Sequence, residues 1–337
     1  MSFFFAKKCQ RPKVSVCIPV RNTEKFLGRC LDSLASQDFD GLELVLINDQ
    51  SEGRDEKGRG CKKIARSFHK SSKIPLVYIE HTQDVPLLET RRELVEHSHG
   101  DYILMVDSDD YLAENAVKTL YDAARKTGAD ITCGKEKVYS LKEGLPQIKD
   151  RQFAFHKEGL LFGSEILESW IVKSESSAFL WAKLIKRELY LKALSEIPYM
   201  DCSLSVDTPM YFFIAYHAKS YVGISDIVYY YLENEGITGF KKIESLEKWR
   251  RYCTTASIYS LLLTFEGDIS EDVREGVRRY SRLFLRNSII RMKNLVAPEL
   301  QQDARKMLCE YWGEGFVEKV EKAIEEAQAA SEAGEGK

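Results

Sequence analysis

The sequence has no long apolar run and no strong net charge, and each absence excludes a class of protein. No segment reaches the ~18 apolar residues that a membrane-spanning helix requires. The apolar run near the start is shorter than the ~7–15 residues of a signal-peptide core. A formal net charge of -3 argues against a general nucleic-acid binder, which normally carries a strongly basic face. We therefore expect a cytoplasmic protein with no nucleic-acid partner.

The eight cysteines do not form a recognisable metal-binding pattern. There is no Cys-x-x-Cys pair, and no cysteine lies at zinc-ligand spacing from a histidine. Several cysteines, such as Cys17, lie inside apolar runs, where a thiol behaves as a small hydrophobic group. We expect free, buried thiols in a reducing compartment.

Short apolar segments alternate with amphipathic segments over residues 14–137. Strands are predicted at 14–20, 42–47, 76–79 and 102–106, with a fifth beginning at Ile131. Helices are predicted between them, the first capped by Asn22 or Thr23. This alternation predicts an α/β protein with a mostly parallel sheet covered by helices on both faces. Ligands of such sheets bind beyond the carboxyl ends of the strands, which here are residues 19–22, 48–51 and 107–110.

Beyond residue 140 the pattern is less regular. Helices are predicted at 164–172, 186–194 and 208–218, and short strands at 221–224 and 227–232. From about residue 242 nearly every segment has helical character, and the last residues are expected to fray.

An acidic cluster directly follows the predicted strand 102–106. It contains Asp107, Asp109 and Asp110, whose carboxylates repel one another when all are ionised. A divalent cation such as Mg²⁺ relieves this repulsion and binds carboxylate together with substrate phosphate oxygen. The alternative is a solvated acidic loop that caps the next helix.

A second polar segment, residues 48–51, follows the strand 42–47. Asp49 could accept a hydrogen bond from a nucleoside base or a ribose. The alternative is an ordinary turn, which aspartate and serine favour because their side chains bond to nearby backbone.

Together these segments resemble the family 2 glycosyltransferases, which have the GT-A fold. The segments VSVCIPVRNTEKFLGRCLDSLASQ, ELVLINDQS and GDYILMVDSDDYL match the family's motifs in order, spacing and strand context. The resemblance is close over residues 13–137 and looser to about residue 240. It implies a nucleotide-diphosphate sugar donor, with UDP the expected nucleotide, and a glycan or glycolipid acceptor.

The resemblance assigns a role to each matching position. The implied donor-binding residues are Pro19, Arg21, Asn22, Asp49, Arg91, Asp107 and Ser108. Asp109 and Asp110 are the implied ligands of Mn²⁺ or Mg²⁺. For Arg91 the alternative is a solvated charge on a helix.

Several positions depart from the family pattern. Arg21 stands where a tyrosine is common, Asn48 replaces the first aspartate of an Asp-Asp pair, and Gln50 replaces a glycine. The loop 84–87 replaces a glycine-rich stretch, and Val206 stands where the family often has a glutamate. The acidic cluster is intact.

The catalytic base is implied to be Asp207, within the segment SVDTP. In the family an aspartate at the start of a downstream helix deprotonates the acceptor hydroxyl, and the anomeric configuration is inverted. The alternative is that Asp207 only caps its helix. Trp181, in a segment resembling the family's Leu-Trp-Asn-Lys-Leu, is implied to stack on the acceptor sugar, unless it is a core residue.

The sequence is accordingly divided into five regions. These are an N-terminal tail (1–12), a nucleotide-sugar-binding half (13–140), an acceptor-side half (141–240), a helical C-terminal region (241–328) and a frayed tail (329–337).

Three alternatives concern the role of the protein. The arginine-rich segment 274–293 could lie on the inner face of a membrane, or it could pack as an ordinary helix with a charged outer face. The chain could be a non-catalytic GT-A module that recruits or regulates a partner enzyme. A nucleotidyltransferase is disfavoured because the N-terminus lacks a glycine-rich phosphate-binding loop.

Overall fold

The computed structural model describes residues 3–5, 11–72, 74–233 and 242–334. Within these residues a single mixed sheet organises the first part of the chain. Its strands are β1 (Phe3–Phe5), β2 (Val14–Val20), β3 (Leu42–Asp49), β4 (Leu76–His81), β5 (Tyr102–Met105), β6 (Tyr111–Leu112), β7 (Ile131–Lys142), β8 (Leu145–Ile148), β9 (Gly159–Phe162), β10 (Lys183–Lys186) and β11 (Ser220–Leu232).

Helices connect the strands and make up most of the rest. They are α1 (Glu24–Ala35), α2 (Cys61–Ser72), α3 (Leu87–Glu96), α4 (Ala116–Thr127), α5 (Ser164–Ile171), α6 (Arg187–Glu196), α7 (Asp207–His217), α8 (Leu246–Cys253), α9 (Ala256–Leu263), α10 (Glu271–Leu295), α11 (Gln301–Trp312) and α12 (Glu314–Gly334). A 3₁₀ turn, Pro298–Leu300, separates α10 from α11.

The strand order is β1-β4-β3-β2-β5-β10-β7-β11-β6, with β8 beside β7 and β9 beside β11. Strands β4, β3, β2 and β5 are parallel neighbours. Strand β10 lies antiparallel between β5 and β7. The predicted α/β architecture is therefore confirmed. The sequence missed β10 because four residues of mixed polarity carry too little periodicity to indicate a strand.

The core lies between the sheet and its helices. Every residue of β3 is buried, and so is the apolar stripe of α1 that contains Leu27, Leu31 and Leu34. The cysteines in the described part of the chain are free, and all but the half-buried Cys309 are buried, as predicted. Cys9 lies outside the described residues.

Three local predictions differ from the structure. The two short strands expected at 221–224 and 227–232 are one strand, β11, whose pairing with β7 shifts register around Ile227. Such an irregularity lets polar residues interrupt an apolar strand without ending it. Helix α12 continues to Gly334 although fraying was expected from residue 329, because the alanine-rich segment has high helix propensity. Thr23 occupies the N-cap of α1 but makes no side-chain capping bond.

A second compact unit comprises Asp201–Ser205 and the chain from Gly239 onward. Its core is formed by helices, with Trp249, Leu285 and Ile289 fully buried. Within the unit, Asp201 forms an ion pair with Arg250. The predicted border at residue 240 lies outside the described residues, and the borders at 140 and 328 stay predictions.

Helix α10 contains the arginine-rich segment. Arg278 pairs with Glu271 and Glu275, and Arg282 also pairs with Glu275. The apolar side of the helix is buried in the core of the second unit. These contacts favour the packed helix with a charged outer face over a membrane-bound one. Among the described residues, no helix is both long and apolar enough to cross a bilayer.

Candidate functional site

Except for Arg91, which is on α3, the predicted donor-binding residues lie at or just after the ends of adjacent parallel strands, so the sheet brings them to one edge. The loops after β2, β3 and β5 are held together by side-chain hydrogen bonds. The backbone N–H of Asn22 donates to Ser51 Oγ at 3.0 Å. Thr23 Oγ1 and Ser108 Oγ are 2.7 Å apart, so Thr23 joins two loops instead of capping its helix. Pro19, near the end of β2, pairs with Ile47 of β3 and supports the same edge.

Arg91 lies at the centre of the site and joins two of the predicted residues. Its NH2 group donates to Asp107 Oδ1 at 3.1 Å, and its NH1 group donates to Asp207 Oδ1 at 2.7 Å. Asp107 follows β5, whereas Asp207 begins α7, 100 positions later in the chain. The predicted donor residue and the predicted base are therefore held by one guanidinium.

Arg91 is only 4% exposed, which excludes the alternative of a solvated helix charge. Burial lowers the pKa of Arg91, but the carboxylates of Asp207 and Asp107 raise it by more, so the net shift is upward. A buried guanidinium with two carboxylate partners is a stable positive charge. It places fixed positive charge beside the acidic cluster.

Asp207 does not cap its own helix. Its Oδ1 accepts hydrogen bonds from Arg91 and from the backbone N–H of Leu180, at 3.0 Å, and Val206 occupies the N-cap position. The alternative of a simple capping role therefore does not describe this carboxylate. The side chain of Asp207 is partly exposed. That it acts as the base stays a prediction.

Asp110 is a buried carboxylate with two hydrogen-bond donors. The hydroxyl of Tyr229 donates to its Oδ2 at 2.8 Å, the backbone N–H of Leu232 donates to its Oδ1 at 2.6 Å, and the residue is 2% exposed. Burial raises the pKa of Asp110 well above its usual range, and Asp109 and Asp107 raise it further. These bonds anchor β11 to the acidic loop. That Asp110 also holds a metal stays a prediction.

The remaining carboxylates of the loop fit a metal that binds together with substrate phosphate. Asp109 and Asp107 are partly exposed, and the Tyr139 hydroxyl fixes the backbone by donating to the carbonyl of Asp109 at 2.7 Å. No cluster of three or more acidic, histidine or cysteine side chains that could hold a metal occurs in the described ranges. Mg²⁺ commonly takes one or two carboxylates plus phosphates instead of an all-protein cage, so this donor set suits it.

Asp49 is more than a turn residue. Its Oδ2 accepts from Arg21 at 2.6 Å, and its Oδ1 lies 2.9 Å from His81 Nδ1. The other ring nitrogen of His81 lies 2.8 Å from Glu93 Oε2. Arg21 also pairs with Asp84. Arginine thus replaces the family's tyrosine with a charge that orients Asp49.

The contacts of His81 predict a pH-dependent stability. The hydrogen bonds to Asp49 and then Glu93 raise the pKa of this buried imidazole to about 9, above its ordinary value of 6.5. Protonated His81 therefore stabilises the fold below about pH 6.5, and this contribution is lost as the pH rises through 9. We expect the free energy of unfolding of wild type to fall by on the order of 1–2 kcal/mol more than that of His81→Asn between pH 6 and 10.

The measurement is urea unfolding of both proteins at several pH values. Equal pH dependence in the two proteins would show that folding does not raise the pKa of His81.

Trp181 is mostly buried, with 4% of its surface exposed. It stacks with Phe179 at 4.8 Å and with Tyr229 at 5.2 Å between ring centroids. Its predicted contact with an acceptor is not tested by these contacts, but little of its ring reaches solvent.

Sequence reasoning missed His81, Glu93 and Tyr229 as members of the site. The histidines carried no pairing signal because their partners lie on other elements. The alternation of side chains along a strand would have predicted that Tyr229 and Tyr231 share one face of β11. It would not have predicted the hydrogen bond from Tyr229 to Asp110.

Comparison with known proteins identifies the family. Residues 15–190, more than half of the chain, match the model of "Glycosyl transferase family 2". The glycosyltransferase GlyA of Streptococcus pneumoniae serotype 4 is 29% identical over 181 residues, which cover 53% of this chain and 25% of GlyA. This chain spans less than two thirds of the length of several curated relatives that it matches.

Solved structures establish the fold. Staphylococcus aureus TarS 1-349 in complex with UDP-GlcNAc has a TM-score of 0.58 at 20% identity, covering 94% of this chain and 92% of that chain. The mannosyltransferase PcManGT of Pyrobaculum calidifontis, in complex with GDP-Man and Mn2+, has a TM-score of 0.54 at 14% identity, covering 92% and 86%. Such likeness shows a shared fold, and it confirms the predicted GT-A architecture. On the family match and this fold, the chain belongs to glycosyl transferase family 2.

Proposed function

We propose that this protein transfers a sugar from a nucleotide-diphosphate donor, most simply a UDP-sugar, to an acceptor hydroxyl with inversion. The observation that carries the proposal is the Arg91 bridge between Asp107 and Asp207. It puts a candidate base next to the loop at which the donor is expected, within one hydrogen-bonded unit. The structural neighbour TarS, crystallised with UDP-GlcNAc, supports the choice of donor class.

The donor is assigned to the edge formed by the loops after β2, β3 and β5. Asp49, oriented by Arg21 and His81, accepts a hydrogen bond from the nucleoside base. Asn22 and Ser108 line the same edge through the contacts described above. The buried positive charge of Arg91 offsets the negative charge of the diphosphate.

Asp109, with Asp107, would hold Mn²⁺ or Mg²⁺. When bound, the ion would supply Lewis-acid stabilisation of the departing nucleotide diphosphate. The Mn2+ bound in the PcManGT complex supports this cofactor class.

The reaction assigned to Asp207 is general-base catalysis. Its carboxylate takes the proton of the acceptor hydroxyl as that oxygen bonds to the anomeric carbon of the donor. The bond between the anomeric carbon and the diphosphate oxygen breaks on the opposite side, so the configuration inverts and the electron pair leaves with the nucleotide. Arg91 and the N–H of Leu180 fix the carboxylate without protonating it.

The first test is thermal unfolding with UDP, GDP, dTDP and CDP, each with and without Mn²⁺. A nucleotide at about 100 times its Kd should stabilise the wild-type protein by roughly 2.7 kcal/mol, a shift of a few degrees. We expect a shift with UDP and Mn²⁺ that a chelator removes. The Asp109→Ala variant should lose most of this shift and the turnover that depends on metal, because it lacks the metal carboxylate.

Asp122→Ala is the matched control, since Asp122 is exposed on α4 and pairs only with Lys118 among the contacts described. It should retain the full shift. A full shift in Asp109→Ala would remove this residue from the metal site.

The second candidate is a non-catalytic GT-A module that recruits or regulates a partner enzyme. The departures from the family pattern at Arg21 and Val206 support it, whereas the intact acidic cluster argues against it. No shift with any nucleotide at saturating concentration would support this candidate. Sustained sugar transfer would exclude it.

The cellular setting belongs to the same proposal. Synthesis of a surface polysaccharide or glycoconjugate, in the cytoplasm or at the inner face of the membrane, fits a family 2 enzyme with a glycan or glycolipid acceptor.

A further inference from the structure

An exposed phenylalanine extends the aromatic cluster beside Asp207. Phe153 lies in the segment between β8 and β9 and is 49% exposed. Its ring stacks on Tyr231 at 4.5 Å with an interplanar angle of 18°, and lies 5.5 Å from the ring of Phe179. An apolar ring exposed to this extent loses favourable burial, and it presents a flat apolar face to a ligand.

The position of Phe153 is fixed by a buried charge. Glu136 is 2% exposed, and its Oε1 accepts the backbone N–H groups of both Phe153 and Ala154 at 2.7 Å. Burying a carboxylate is costly unless it is hydrogen-bonded. The two bonds therefore hold the loop, and with it the exposed ring, in one place.

Phe179 links this ring to the candidate base. Phe179 contacts Phe153, and the next residue, Leu180, donates its N–H to Asp207. Tyr231, on which Phe153 stacks, shares an aromatic cluster with Tyr229, since Trp181 stacks on both rings, and Tyr229 donates to Asp110. The exposed ring is thus linked through Phe179 to the segment that binds Asp207, and through Tyr231 to the aromatic cluster that binds Asp110.

We propose that Phe153, supported by Tyr231 and Phe179, forms an acceptor subsite that stacks on the apolar face of a pyranose ring. The inference rests on the proposed function and adds the substrate class, a cyclic sugar, to it. Carbon-bound hydrogens on one face of a sugar pack on an aromatic face, and its hydroxyls remain free to reach Asp207. Trp181, packed against Phe179, supports the subsite from within the core.

The test is binding of methyl glycosides by saturation-transfer difference NMR in the presence of UDP and Mn²⁺. The probes are the methyl β-glycosides of glucose, galactose and N-acetylglucosamine, with hexyl phosphate as an apolar chain without a ring. We expect at least one glycoside to bind wild type. Phe153→Ala should raise its Kd roughly tenfold, and Phe153→Trp should retain the affinity.

Phe155→Ala is the matched control. Phe155 is on the same loop as Phe153 and is 69% exposed. Unlike Phe153, it stacks on no other aromatic ring in the described part of the chain. It should bind the glycoside as wild type does. Equal affinity in Phe153→Ala, binding of hexyl phosphate alone, or binding of no glycoside by wild type would each overturn the subsite.

The UDP-dependent thermal shift, measured on the same proteins, separates this result from the proposed function. If wild type shows no shift with UDP, the proposed function fails and the acceptor role fails with it. If the shift is present and Phe153→Ala binds the glycoside normally, only the subsite is overturned.

Discussion

Replacing Asp207 by asparagine is expected to lower kcat by about 10²–10⁴-fold, the usual contribution of a general base. The amide oxygen of the variant can still accept the hydrogen bonds from Arg91 and the Leu180 N–H. The local geometry should therefore survive while the ability to take a proton is lost. The measurement is nucleotide release from a UDP-sugar in the presence of acceptor, together with the UDP-dependent thermal shift.

The matched control is Asp226→Asn, which changes an exposed aspartate in β11. This control should turn over as wild type does. A variant Asp207→Asn with an unchanged kcat would show that another group takes the acceptor proton. A loss of the UDP shift in that variant would instead indicate that Asp207 serves the donor.

Replacing Arg91 by alanine is expected to cost about 3 kcal/mol of unfolding free energy. Breaking a buried charge cluster by removing one partner typically costs 3–5 kcal/mol, because the other charges are left without compensation. The lower end applies here because Asp107 and Asp207 keep some contact with solvent. Turnover should fall as well, since the candidate base loses its main anchor.

The measurement for Arg91 is urea unfolding, with a double-mutant cycle to Asp207→Asn. The two changes should not be additive, because they remove parts of the same interaction. Arg91→Lys should be intermediate, since an ammonium keeps the charge but does not present the same fork of donors. Arg125→Ala, at an exposed position of α4, should stay within about 0.5 kcal/mol of wild type. A similarly small effect of Arg91→Ala would contradict the bridging role.

The donor edge could be predicted because it depends on local patterns. The predicted strands 14–20 and 42–47 are apolar almost throughout, and polar residues such as Asn22 and Asp49 come soon after them. In a parallel sheet the carboxyl ends of adjacent strands meet at one edge, so alternation alone placed these residues together.

The partners within the site could not be predicted in the same way. His81 bridges Asp49 and Glu93 across two elements, and Asp110 is bound by Tyr229 from a strand more than one hundred residues later. Spacing along the chain contains no information about such contacts, since they depend on which strands become neighbours. The antiparallel insertion of β10 decides the contact of Tyr229 with Asp110, because it places β7 and β11 beside the parallel half. Asp49 and His81 meet because they are register partners on the adjacent strands β3 and β4.

The sequence by itself determined the α/β class, the resemblance to a glycosyltransferase family and the acidic loop at Asp107–Asp110, because periodicity and motif order are local properties of the chain. Only the tertiary structure decided which partners bind each carboxylate and how far each one is buried. Asp110 is buried and accepts hydrogen bonds from the Tyr229 hydroxyl and the Leu232 N–H. Asp207 instead accepts a hydrogen bond from Arg91 and does not cap its own helix. The physical reason is that the state of a carboxylate depends on its solvation and its partners, and both are set by residues that are distant in sequence.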